Sequence, residues 1–261
     1  MPPRIPIVTL TTDFGRRDPY VASMKGVIRR SCPEVRIDDL SHEIAPQDRV
    51  EAALFAAAAF PHFPTGTVHC IVVDPGVGTA RAPVVAAADG QRFVFPDNGL
   101  LSVFLRKHPL EEARRIENPD FMRDECSATF HGRDIFAPAA GKLAAGMPLE
   151  EAGPAIEKLV ELALPEPAID VSGIVSGCII HVDRFGNCIT NLREPHIPDW
   201  DVHVCAGPLR LQGIQSTYGD VATGQALTYF GSSGRLEIAV SNGDAATVYQ
   251  LKRGDRVVVY R

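Results

Sequence analysis

The 261-residue sequence predicts an α/β N-terminal domain with a mostly parallel sheet, followed by an all-β, barrel-like C-terminal domain. Three observations carry that prediction. Strand and helix signals alternate through the first part of the chain. Pro165, Pro167 and neighbouring small residues mark a connector. Beyond them, short β-rich runs are separated by Gly, Asp, Asn and Ser turns, the pattern of a small barrel or sandwich. The domains are placed at residues 1–165 and 172–261.

Residues 5–11 are apolar and β-branched and end at Thr12-Asp13-Phe14-Gly15, a strand-to-loop transition. Residues 20–30 space Val21, Met24, Val27 and Ile28 as a helix does. Residues 49–60 are alanine-rich and helical in propensity. Residues 67–73 form a continuous apolar run that ends in the turn Asp74-Pro75-Gly76, so they read as a strand covered on both faces. Strands are expected at 84–88 and 92–95, and helices from 100 and across 135–145. The second domain offers strands at 173–182, 202–205, 227–229, 236–240 and 256–260.

Composition narrows the function classes. A formal net charge of -6 with no Lys/Arg run argues against a nucleic-acid scaffold and for a small-molecule partner. The six cysteines are scattered and none forms a C-x-x-C pair, which gives no support to a zinc or redox motif. The N-terminus lacks the basic and long apolar regions of a signal peptide, and the longest apolar stretch, 52–60, is too short for a bilayer. A reduced, cytoplasmic protein without membrane contact is expected. His42, His62, His69 and His108 show no metal-ligand spacing, and Gly76-Val77-Gly78 lacks the rest of a dinucleotide fingerprint. No metal and no cofactor are expected.

Ligands of open α/β sheets bind beyond the carboxyl ends of strands. Two acidic turns stand there: Asp13, with Asp18 five residues on, and Asp74, with Arg81 seven residues on. Downstream lie Phe130-His131-Gly132-Arg133-Asp134 and, in the second domain, Asp183-Arg184-Phe185-Gly186-Asn187. Each has a bland reading as well. Asp13 could cap the helix near Tyr20, Asp74-Pro75-Gly76 could be a plain turn, Arg81 could be a solvated side chain, His131 could be a core histidine, and residues 183–187 could be a hairpin turn.

Taken together the motifs resemble the S-adenosylmethionine hydroxide adenosyltransferases, relatives of the bacterial fluorinase and chlorinase. The resemblance rests on TLTTDFG at 9–15 with Asp18, DPGVG at 74–78 with Arg81, PDNGL at 96–100, FHGRDIFAPAA at 130–140, DRFGNCITN at 183–191 and GSSGRLEIAVSNG at 231–243. It implies hydrolysis of S-adenosylmethionine to adenosine and methionine. It also implies a homotrimer whose active sites lie between the first domain of one subunit and the second domain of its neighbour. Asp13 then holds the ribose hydroxyls, while Asp18 and Asp183 meet the methionine portion. Phe185 and Tyr218 flank the purine, Asn187 meets the adenine edge with backbone near Asn242, and Ser232 meets the methionine carboxylate. Ser233 stands where halogenating relatives carry arginine, which weakens the carboxylate contact.

Asp74, Arg81 and His131 match the polar trio that sets hydrolytic members apart. The sulfonium leaves as a neutral thioether without a general acid, so the enzyme has to hold water in line with C5′–S and dispose of its proton. Positioning and desolvation supply about 7–11 kcal/mol of such a barrier in favourable cases. Arg81 is expected to stabilise hydroxide, Asp74 to orient Arg81 or His131, and His131 to take or relay the proton. The rivals are a halogenase acting at the same carbon and a non-catalytic S-adenosylmethionine or adenosine sensor.

Overall fold

The computed structural model describes residues 5–261, and they divide into two units, the first ending at Leu162 and the second spanning Ala163–Arg261. In the first unit β1 (Ile7–Thr12), α1 (Tyr20–Ser31), β2 (Arg36–Ser41), α2 (Arg49–Ala59) and β3 (Val68–Val72) alternate as the sequence predicts. Next come β4 (Pro83–Ala88), β5 (Gln91–Pro96), α3 (Ser102–Leu105), β6 (Leu110–Arg115) and α4 (Ala137–Ala144). The sheet order is β2-β1-β3-β5-β4-β6. Strands β2, β1, β3 and β5 run parallel, and β4 alone is antiparallel to both of its neighbours. The cause is the short Asp89-Gly90 turn, where both residues have positive φ, so β4 and β5 close as a hairpin instead of crossing over.

All five residues of β3 are buried, His69 among them, its ring held between Thr9 and Gln91. Two apolar clusters cover the sheet. One gathers Met24 and Ile28 of α1 with Phe136, Ala140 and Leu143; the other gathers Ala52 and Ala56 of α2 with Phe60, Phe93 and Phe104. The α2 N-terminus is capped by Asp48, whose carboxylate accepts from the Val50 and Glu51 N–H groups at 3.0 Å. Helix α1 starts after Pro19 with no side-chain cap, so the capping reading of Asp13 is set aside.

The second unit holds β7 (Ala168–Ile169), β8 (Val175–Val182), β9 (Cys188–Arg193), β10 (His203–Ala206), β11 (Leu209–Gln212), β12 (Ala226–Phe230), β13 (Arg235–Val240), the short α5 (Ala245–Tyr249) and β14 (Arg256–Tyr260). Its strands pair antiparallel in the order β11-β10-β14-β8-β9-β13-β12, with β7 on β8. The two end strands are drawn together just past β11: Gln215 N donates to Thr228 O at 2.7 Å and Thr228 Oγ1 to Gly213 O at 2.9 Å. The sheet is thus a nearly closed barrel around Ile179, Leu192, Val204, Leu236, Ile238 and Val257. No helix among the described residues is long and apolar enough to cross a membrane.

Candidate active site

Strands β1 and β3 lie side by side with Thr12 level with Val72, so Asp13 and Asp74 leave the same end of the sheet. Asp13 is fixed from the loop after β2. Its Oδ2 accepts from Gln47 N at 2.8 Å, and Gly15 N donates to His42 O at 2.8 Å. The His42 ring is wholly buried, with Nδ1 2.9 Å from Thr12 Oγ1 and Nε2 3.1 Å from Asp39, which also accepts from Lys25 Nζ at 2.6 Å. Burial raises the Asp13 pKa and the nearby Asp74 charge adds to this, against the Gln47 N–H that favours the anion.

The Asp74–Arg81–His131 cluster is assembled. Arg81 Nε donates to both Asp74 oxygens at 2.9 Å, and its Nη2 reaches Asp74 Oδ2 as well. Nη2 also lies 2.8 Å from His131 Nδ1. An arginine can only donate, so Nδ1 accepts and His131 is neutral with its proton on Nε2. Burial lowers the His131 pKa, the Arg81 charge lowers it further, and Asp74 and Asp134 work in the opposite direction. The Arg81 and Asp74 side chains are only 8% and 5% exposed, and the guanidinium sits over the Phe136 ring at 5.1 Å. Asp74 is thus bound to Arg81, and Arg81 rather than Asp74 is the partner of His131.

His131 opens a single π-helical turn, Gly132–Phe136, a rare conformation often found at functional sites. The turn is braced by Asp134, whose side chain is fully buried and accepts from Arg133, Arg123 and the Ser127 N–H at 2.7–2.9 Å. Burial opposes its charge, but these donors hold its pKa below the usual carboxylate range. Asn98, from the PDNGL motif, donates from Nδ2 to Val73 O at 3.0 Å and so fixes the residue before Asp74.

A cleft of about 630 Å³ is lined by Asp13, Gln47, Asp74, His131 and an aromatic wall of Phe14, Tyr20 and Phe130. Those three rings meet edge-on at 5.1–6.0 Å. Arg81 does not line the cleft. Asp18 is exposed and lies outside its lining.

In the second unit a cavity of about 700 Å³ is lined by Phe185, Asn187, Tyr218, Asn242 and neighbours. Phe185 is 76% exposed, so its ring stands free at the rim. Asp183 accepts at Oδ1 from the Phe185 and Asn187 N–H groups at 2.9 and 2.8 Å, which ties the β8–β9 loop into a fixed turn. Gly186 has φ +83°, and a Cβ there would sit 2.1 Å from the Asp244 carboxylate, so only glycine fits. Ser232 and Asn242 are exposed, and Asn242 has φ 54°. Each unit thus contributes a separate part of the expected ligand set. Behind Asn187, whose Nδ2 donates to Tyr218 Oη at 3.1 Å, the side chains of Tyr218, Tyr229 and Glu237 are bonded in turn. Gln47, Asn98, Tyr229 and Glu237 were not singled out from sequence. The available signals were the PDNGL motif that holds Asn98 and, for Glu237, an acidic residue inside the apolar Leu236–Val240 run.

Residues 8–153 match the N-terminal domain, and 177–258 the C-terminal domain, of the SAM hydroxide adenosyltransferase family. The chain is 39% identical to an (R)-S-adenosyl-L-methionine hydrolase of Salinispora tropica over 97% of both chains. It is 30% identical to a fluorinase of an Actinoplanes species, again over 97% of both. An uncharacterized conserved protein of Thermotoga maritima has the same fold at TM-score 0.89 and 38% identity, covering 98% of this chain and 100% of that one.

Proposed function

This chain belongs to the SAM hydroxide adenosyltransferase family, and on that premise we propose that it hydrolyses S-adenosyl-L-methionine to adenosine and L-methionine. Water or hydroxide attacks ribose C5′ in line with the C–S bond, and the electron pair of that bond leaves on the thioether sulfur of methionine.

The observation that carries this reading is the bonded Asp74–Arg81–His131 cluster at the cleft. Asp74 orients Arg81, and Arg81 holds His131 in one tautomer. With Nδ1 engaged, His131 offers Nε2–H to the nucleophile oxygen and can take a proton only by giving up the Arg81 bond. Asp74, also on the cleft wall, is the acceptor open to the water proton. Asp13 binds the ribose hydroxyls, because a carboxylate accepts from two vicinal O–H groups at once.

The second unit supplies the base and methionine contacts: Phe185 and Tyr218 against the purine, Asn187 and backbone near Asn242 at its edge, Asp183 and Ser232 toward methionine, with Asp18 joining from the first unit. As the family resemblance implies, the active site is assembled in a homotrimer, the first unit of one subunit meeting the second unit of another. Two inactive variants, Asp74→Asn and Asn187→Ala, recover activity when mixed trimers form, and they stay inactive if each subunit works alone.

Incubation of the purified protein with S-adenosylmethionine, with and without chloride, tests the reaction. Free adenosine and methionine in equal amounts are expected. A 5′-chloro nucleoside as main product assigns the chain to the halogenases, and binding without product assigns it to sensors.

A further inference from the structure

The loop that carries Asp74 and Arg81 leaves β3 and enters β4, and in the sheet β5 lies between those two strands. The loop therefore has to arch across the end of β5. The chain that leaves that end is Asp97-Asn98-Gly99, part of the PDNGL motif, to which the hydrolysis assigns no part. It emerges with one foot of the arch on each side.

Both feet are held from there. Asn98 Nδ2 donates to Val73 O at 3.0 Å, and Asp97 N donates to Ala82 O at 2.9 Å. Val73 immediately precedes Asp74, and Ala82 immediately follows Arg81. Among the described residues the other hydrogen bonds of the loop stay inside it, apart from Arg81 to His131. Asn98 is itself secured: it is 8% exposed, and its backbone O accepts from Arg49 Nη1 at 3.1 Å. A carbonyl only accepts, so the amide has to turn its nitrogen toward Val73. Its Oδ1 is buried and takes no bond among the described residues. An apolar side chain of that size would turn the chain after β5 without the cost of burying an unpaired oxygen. The amide is needed only for Val73.

We infer that the PDNGL motif clasps both feet of the catalytic loop, and that Asn98 is a positioning residue whose hold on Val73 sets Asp74 and Arg81 against His131. The inference deepens the proposed function and rests on the part that reading gives the trio. Ribose binding is independent of the clasp, because Asp13 leaves β1 and is held by Gln47.

Steady-state turnover of S-adenosylmethionine by the full chain, alongside an NMR titration of the His131 ring without substrate, tests this in Asn98→Ala and Asn98→Ser. Alanine removes the donor, and serine keeps a hydroxyl on a side chain one bond shorter. In both, kcat is expected to fall about ten- to a hundredfold while KM stays within about twofold. The Arg81 bond to Nδ1 and the Arg81 charge favour neutral His131, against Asp74 and Asp134, so a slackened Arg81 moves the ring titration to higher pH. Ser102→Ala frees Leu162 N beside the same motif but leaves the bonds to Val73 and Ala82 in place; both readouts stay at wild-type values. A kcat within about threefold of wild type, an unmoved His131 titration, a rise in KM instead of a fall in kcat, or an equal loss in Ser102→Ala overturns the inference. Failure of both Asn98 variants to fold cooperatively overturns it too, since Asn98 is then a core support. A wild type without turnover whose His131 titration still rises in Asn98→Ala upholds the clasp and removes the hydrolase reading.

Discussion

Replacing Asp74 by Asn conserves shape while removing both the counter-ion of Arg81 and the acceptor for the water proton. Asp74 takes three N–H contacts from Arg81. An asparagine accepts through one oxygen and turns an N–H toward the guanidinium at the other, so part of that grip is lost. The Arg81 charge, 8% exposed, is left without its counter-ion. Removing one partner of a buried pair costs about 3–5 kcal/mol in general. The share that appears in the transition state is about 2.7–4 kcal/mol, the worth of one preorganised electrostatic group, or 10²–10³ in kcat. Since the trio acts on the nucleophile, kcat and kcat/KM fall together. The pH profile gives an independent sign. Asp74 raises the His131 pKa and Arg81 lowers it, so removing Asp74 moves that pKa further down. Wild-type activity falls on acidification as His131 protonates and repels Arg81, through a limb below the usual histidine value of about 6.5. In the variant that limb moves to lower pH. Product chromatography from pH 4.5 to 9 measures both effects. A kcat within about threefold of wild type, or a limb displaced upward, refutes the reasoning.

Other expected outcomes are simpler to read. His69 is fully buried between Thr9 Oγ1 at 2.7 Å and Gln91 Oε1 at 2.8 Å, and burial lowers its pKa to about 4. The unfolded chain then binds a proton that the native chain refuses, so up to roughly 3 kcal/mol of stability is lost as pH falls from about 6.5 to 4. Urea midpoints against pH detect this, and His69→Gln flattens the slope. Gly186→Ala forces a Cβ against Asp244 at positive φ; adenosine affinity drops at least about tenfold by calorimetry, as a clash plus about 1 kcal/mol of backbone strain demands. Asp13→Ala removes the ribose carboxylate and leaves Gln47 N unpaired, raising KM at least about tenfold in steady-state assays.

Legibility in the sequence followed how local the cause was. The runs that became β1, β3, α1 and α2 announced themselves because the strands are rich in apolar and β-branched residues, α1 is helically spaced and α2 is alanine-rich. Strands β2 and β6 escaped notice: RIDDLS and LEEARR sit at the two edges of the sheet, where charged residues stay partly exposed and no apolar pattern is needed. The antiparallel β4 was hidden in the strand signals, since only its turn distinguishes a hairpin strand from a crossover strand. The expected trio came together because Asp74 follows β3, Arg81 precedes β4, which β5 alone separates from β3 in the sheet, and His131 stands at a helix start. The orientation of His131 by Arg81, the hold of Gln47 on Asp13 and the run from Asn187 to Glu237 join residues far apart in the chain. No single-sequence pattern encodes such pairings.

The claim beneath the whole account is that solvent oxygen becomes bonded to ribose C5′. Reaction in H₂¹⁸O with mass analysis of both products tests it most directly. The account predicts one ¹⁸O atom in the 5′-hydroxyl of every newly formed adenosine and none introduced into methionine by the reaction. Unlabelled adenosine, or label carried by the methionine fragment, contradicts it.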